Sequence, residues 1–196
     1  MNSKVRRSFI TLIGVSFLFI INCHTTLAVK FFDLEHEYIS PYFEKDTLCI
    51  GIIWTPVYKY RNDIIKDIET KTKVIKTVDV ELNNLYKDFV YEIYSQEHME
   101  KYKIDLKIEN VCHDPVQQST VSILLFHANT KDQYFHSKKQ KLVYAHIEEI
   151  KEFVREKYKV LISNYFFDNI FHATDNEQEF ISCVKTINKY YDLCCH

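Results

Sequence analysis

Glycine and proline are scarce, 2 and 3 among 196 residues, which excludes flexible Gly-rich linkers, proline-rich tails and collagen-like repeats. An excess of either charge is also lacking. With 25 Lys and Arg against 27 Asp and Glu, no overall field draws in a nucleic-acid backbone or an anionic membrane, and nucleic acid is not an expected partner. The cysteines and histidines show no Cys-x-x-Cys and no regular ligand spacing, so no metal centre is expected. There is no Asn-x-Ser/Thr acceptor for glycosylation, no internal repeat and no low-complexity segment. What remains is a chain 46% hydrophobic and 15% aromatic, a composition that packs a core rather than staying disordered.

The charge-free apolar run from Phe9 to Ile21 follows Lys4, Arg6 and Arg7 and precedes small residues up to Ala28. That layout predicts a secretory signal peptide over 1–28, cleaved after Ala28, and a secreted or exported protein. The run is too short to span a bilayer as a helix of about 20 residues and has no charged stop-transfer flank. No stable membrane span is therefore expected after cleavage. Asn22 in front of Cys23 disfavours a lipoprotein site. Residues 29–47, aromatic and acidic without clear period, read as an N-terminal extension, and 48–196 as one domain. Removing Cys23 leaves Cys49, Cys112, Cys183, Cys194 and Cys195, an odd set in a disulfide-permissive compartment. At least one thiol stays free or pairs between chains, which keeps a homo-oligomer or a protein partner among the expectations. The Cys194-Cys195-His196 tail suits disulfides better than zinc.

Along the domain, the apolar run Leu48 to Trp54 predicts a central strand. Arg61 to Thr70 predicts a helix with Ile64, Ile65 and Ile68 on one face, and Lys73 to Leu82 a strand with Val74, Val78, Val80 and Leu82 together. A helix capped by Asn83 or Asn84 then runs to about Gln96, and 97–118 shows no clear period. Thr120 to Phe126 reads as a strand. Lys141 to Tyr158 reads as one amphipathic helix striped by Val143, Ile147, Ile150, Val154 and Tyr158, Asn169 to His172 as a short strand, and Glu177 to Tyr191 as a closing helix with Phe180, Ile181, Val184, Ile187 and Tyr191 inward. This order predicts an α+β fold, a ferredoxin-like sandwich with an antiparallel sheet covered by helices.

The segment Asn169-Ile170-Phe171-His172-Ala173-Thr174-Asp175-Asn176 lies at a strand end before the last helix. Taken alone, the histidine is a structural residue of a turn in which Thr174 or Asp175 caps the helix. The run nevertheless resembles the active-site segment of nucleoside diphosphate kinases, Asn-x-x-His-Gly/Ala-Ser/Thr-Asp, and Val154-Arg155-Glu156-Lys157-Tyr158 resembles that family's phosphate-contacting segment. The resemblance covers roughly residues 150–191. It implies a nucleoside diphosphate kinase-like fold, His172 as the transiently phosphorylated nucleophile, Arg155 and Asn169 as nucleotide-binding groups, and Mg²⁺ arriving with ATP. A neutral imidazole is a competent nucleophile near pH 7, and a guanidinium matches phosphate oxygens. Two positions depart from the pattern. The family's Lys-Pro-Asp is replaced by Trp54-Thr55-Pro56, leaving Lys59 as the nearest lysine, and the acidic residue that steadies the family's histidine falls on Cys183. The alternative is a non-catalytic secreted protein using the fold for nucleotide or protein binding.

Overall fold

The structure, a computed structural model, describes residues 46–97, 99–111, 119–162, 165 and 169–195, all within one unit, Ile39–His196. The expected signal peptide, its cleavage point and nearly all of the extension lie outside the described residues. Strand β1 (Asp46–Ile53) grows from the apolar run and occupies a central place in a four-stranded sheet of order β2-β3-β1-β6. It pairs antiparallel with β3 (Thr120–Asn129) and with β6 (Phe171–Ala173), and β3 pairs antiparallel with β2 (Val74–Glu81).

Alternation along the strands divides the side chains between two faces. Cys49, Ile53, Leu124, Phe126, Phe171 and Ala173 point one way, into a core closed by helices α1 (Arg61–Glu69) and α4 (Ala145–Tyr158). Gly51 lies on this face, where a Cβ would come within 2.8 Å of the Phe171 ring and 3.1 Å of the Phe126 ring. Only glycine lets the strand pass that closely beneath both rings. Ile50, Ile52, Ile123 and His172 take the opposite face, covered by α2 (Tyr86–Ser95) and α5 (Glu177–Cys195). There Phe89 meets Tyr190 edge-on at 5.3 Å and Trp54 lies against Phe89 and Tyr94. Helix α3 (Lys101–Val111) follows α2 and packs beside it. With α2 and α3 inserted between its second and third strands, the sheet has the βαββαβ order of a ferredoxin-like sandwich.

Several sequence expectations need correction. Lys141 to Tyr158 is not one helix: β5 (Lys141–Tyr144) pairs with β4 (Gln133–His136) in a hairpin, and the helix begins at Ala145. Val74 does not share a face with Val78 and Val80, because the register shifts between Val74 and Lys76. One extra residue in a strand turns everything before it to the other side. Neither Asn83 nor Asn84 caps α2; Asn83 instead takes a left-handed φ of 48° and opens a short 3-10 turn. The inward stripe of α5 includes Cys183, Val184, Thr186, Ile187 and Tyr190, while Ile181 is 46% exposed. Residues 101–111, without clear period in the sequence, are helical. Among the described residues no helix is long and apolar enough to cross a membrane.

Candidate functional site

From Ile170 to Asn176 the run joins β6 and the start of α5 to the rest of the fold. Asn169 is buried. The Ile170 carbonyl accepts from Trp54 N–H at 3.0 Å, and Thr174 N–H donates to the Ile50 carbonyl at 3.0 Å while its hydroxyl accepts from Ile50 N–H at 3.1 Å. The β1–β6 pairing is thereby prolonged at both ends. The cap of α5 is Asn176, whose side-chain oxygen accepts from Glu179 N–H at 3.0 Å while Glu179 returns a bond to Asp175 N–H at 2.8 Å. The expected cap at Thr174 or Asp175 is thus displaced by a residue or two, since both are already engaged elsewhere.

His172 is buried on the α2/α5 face, opposite Ile52. The Tyr94 ring meets the imidazole edge-on at 5.6 Å, and Glu97, in the turn after α2, brings Oε1 to 3.0 Å from His172 Nδ1. This is an ion-pair separation, without the alignment of a directed hydrogen bond. Burial by itself raises the Glu97 carboxyl, but the neighbouring His172 ring, together with Lys107 and Lys151, lowers it to about 2. Ile93, Gln96, Glu97, His172, Thr174, Glu179 and Cys183 enclose a cavity of about 10 Å³, enough for roughly one water molecule.

Arg155 does not share that cavity. It projects from α4, on the other side of the sheet, and Nε and Nη2 both donate to the Phe171 carbonyl at 3.2 and 3.1 Å. A two-pronged donor on an edge-strand carbonyl satisfies an acceptor that the sheet leaves open. Replacing Arg155 with alanine is expected to cost about 1.5–3 kcal/mol in urea unfolding, the range for a hydrogen bond to a charged group. Lysine should restore only part, because it offers a point donor in place of a fork. An unchanged unfolding midpoint in Arg155→Ala would sink the clamp.

Asn169 also lies outside the cavity lining. Lys59 is exposed, 4.9 Å from the centre of the Tyr60 ring, and Trp54, standing where the family's lysine is expected, is fully buried between aromatic rings. The cations that act on Glu97, beside the histidine, come from elsewhere. Lys107 on α3 is buried with Nζ 3.8 Å from the Tyr94 ring centre, and Lys151 is buried on α4. Neither they nor Glu97 carry a local sequence motif; the one clue was an unusual lysine at the inward position of Ile104-x-x-Lys107-x-x-x-Val111. Cys183, the position at which the resemblance expects an acidic residue, borders the cavity, and the carboxylate beside His172 is that of Glu97.

Asp175 forms a second cluster. Its carboxylate meets Lys139 at 2.9 Å, Lys141 at 2.8 Å and also Lys151, while Glu148 and Glu179 share those lysines. Burial works against the charge, yet Lys151, Lys139 and Lys141 drive the Asp175 carboxyl far below the usual carboxylate range. Cys49 and Cys183 are buried thiols on opposite faces of the sheet, and burial pushes both upward, Cys49 to about 12. Among the described residues no three His, Cys, Asp or Glu side chains are placed to hold a metal ion.

No family model matches the chain, and no curated protein matches it in sequence. Among solved structures it is similar to the orthorhombic C222 crystal form of the Aquifex aeolicus nucleoside diphosphate kinase, with 11% identity and a TM-score of 0.46 over 72% of this chain and 94% of that one.

Proposed function

We propose that this chain is an exported, non-catalytic protein on a nucleoside diphosphate kinase-like α+β scaffold, one that works by binding rather than by phosphoryl transfer. The observation that carries the reading is the closed state of His172, which lies against Glu97 at 3.0 Å beside a cavity of about 10 Å³. Among the described residues the space beside the ring has room for about one water molecule and not for a nucleotide with Mg²⁺, and Arg155 is held on the Phe171 carbonyl from the other side of the sheet. Export rests on the basic, apolar and small-residue succession from Lys4 to Ala28, and kinship in fold on the Asn169–Asn176 run, Arg155 and the ferredoxin-like sheet.

A second reading has one observation in its favour. A carboxylate beside Nδ1 is the arrangement that orients an imidazole and leaves Nε2 as the nucleophilic nitrogen, so Glu97 would steady a catalytic His172 if the site opened.

One preparation separates the two. The protein recovered from the medium should begin at Val29 by N-terminal sequencing. The full chain, given Mg²⁺ and γ-labelled ATP, should acquire no acid-labile phosphate. Label that vanishes in His172→Ala and passes to added nucleoside diphosphate would establish the kinase in place of the binding protein.

A further inference from the structure

We infer that the β4–β5 hairpin is a self-association edge, on which two copies of this chain pair β4 to β4, antiparallel, about a two-fold axis at Phe135. The hairpin stands outside the four-stranded sheet and is tied to the start of α5. Tyr144 N–H donates to the Asp175 carbonyl at 3.1 Å, Asn176 Nδ2 donates to the Leu142 carbonyl at 3.3 Å, and Lys139 and Lys141 reach the Asp175 carboxylate. The outer edge of β5 is thereby covered. Among the described residues no strand flanks β4 on its other side, and Gln133, Tyr134 and Phe135 are all exposed.

The phase of the ladder decides which backbone groups are free. Ala145 N–H bonds to the Asp132 carbonyl at 2.9 Å, and antiparallel strands alternate between bonded and non-bonded pairs, so Tyr134 and His136 turn their backbone groups toward β5. Leu142 and Tyr144, whose groups are taken up by Asn176 and Asp175, fix the same phase. Phe135, opposite Leu142, then presents its N–H and C=O to the open edge. A two-fold axis at Phe135 joins those two groups to the same two of the second copy. Residues directly opposite share a face, so the axis also sets Leu142, Phe135 and their two copies in one apolar row. In the single chain Phe135 is 58% exposed and Leu142 54%. From Gln133 to Phe135 the strand carries neither lysine nor acid nor proline, the usual guards of a free edge. At its entry the exposed Asp132 comes opposite the exposed Lys138 in the turn of the second copy, and symmetry makes that pair twice. Moving the axis to Tyr134 loses both features, because Phe135 then meets Gln133 and Asp132 meets His136.

The test is sedimentation velocity of the full chain in reductant from about 1 µM to about 1 mM, the range of small reversible interfaces. The mass should climb toward that of a dimer with concentration, and Phe135→Lys, a change at an exposed site, should raise the dissociation constant at least about tenfold. Asp132→Lys and Lys138→Asp should each weaken association, and an equimolar mixture of the two should restore it, because unlike charges then meet at both ends. Should Phe135→Lys fail to fold, the mixture decides by itself. A wild type that stays monomeric over the whole range overturns the inference. So does association that survives Phe135→Lys in a folded chain, or a mixture of the charge variants that associates no better than either alone.

Discussion

Replacing Asp175 with alanine is expected to lower the unfolding free energy by about 3–5 kcal/mol, the cost of removing one partner from a buried ionic group. The Asp175 side chain is 3% exposed and the Lys151 side chain 4%, so water cannot take over the lost charge. Three lysines then share Glu148 and Glu179, one positive charge too many. Taking out the surplus together with the acid, in Asp175→Leu/Lys151→Met, leaves Lys139 with Glu148 and Lys141 with Glu179. The double variant should accordingly be more stable than Asp175→Ala in urea unfolding; equal or greater loss would show that Lys151 and Asp175 do not act as a pair. The same carboxylate predicts acid sensitivity. Its folded-state value lies below that of the unfolded chain, so its contribution is complete above about pH 4, the ordinary aspartate range, and is lost as pH falls from there toward the folded-state value. Wild-type stability should decline over that window, and the decline should shrink in the double variant.

The second large effect is expected at Trp54. Its side chain is fully buried, 6.1 Å from Phe89 and 5.6 Å from Tyr94 between ring centres, and Trp54→Ala should cost about 3–5 kcal/mol through the cavity it leaves. Phenylalanine should cost less, because it leaves a smaller cavity. It keeps the aromatic contacts, and the indole N–H finds no acceptor among the described residues, so no hydrogen bond is given up. Similar losses for both variants, measured by thermal unfolding, would contradict the packing argument. The His172 environment supplies an independent reading: Tyr94, which Trp54 supports, is the ring in contact with the imidazole, so the ¹H–¹⁵N ring signals of His172 should shift in Trp54→Ala more than in Trp54→Phe.

Where apolar spacing was strong, the sequence was legible. Ile64 and Ile68, Ile147 through Tyr158, and the run from Leu48 to Trp54 all lie where their periods put them. The hairpin escaped because Lys141 to Tyr144 carries the stripe of the next helix without interruption, and Tyr144 at the helix start makes no capping side-chain bond that would mark a boundary. Helix α3 was hidden because Lys107 occupies one of its three buried positions. A buried lysine breaks an apolar pattern while fitting the fold, here through its contact with Tyr94. Of the residues that line the small cavity, the sequence had singled out His172 and Cys183. It missed Glu97, whose role depends on the turn after α2 being folded over β6, a juxtaposition that no local spacing encodes.

Cys49 and Cys183 carry a consequence for the timing of maturation. Thiol oxidation proceeds through the thiolate, and in the folded chain both sulfurs are shielded and held protonated. A chain entering an oxidising lumen has no such shelter until the sheet has closed on one side with α4 and on the other with α5. For a chain exported as proposed, folding would race with cross-linking, and chains that collapse late would be diverted into mispaired species. Productive yield is then set by the relative speeds of the two processes, and mild reductant during refolding tilts the contest toward the native sheet.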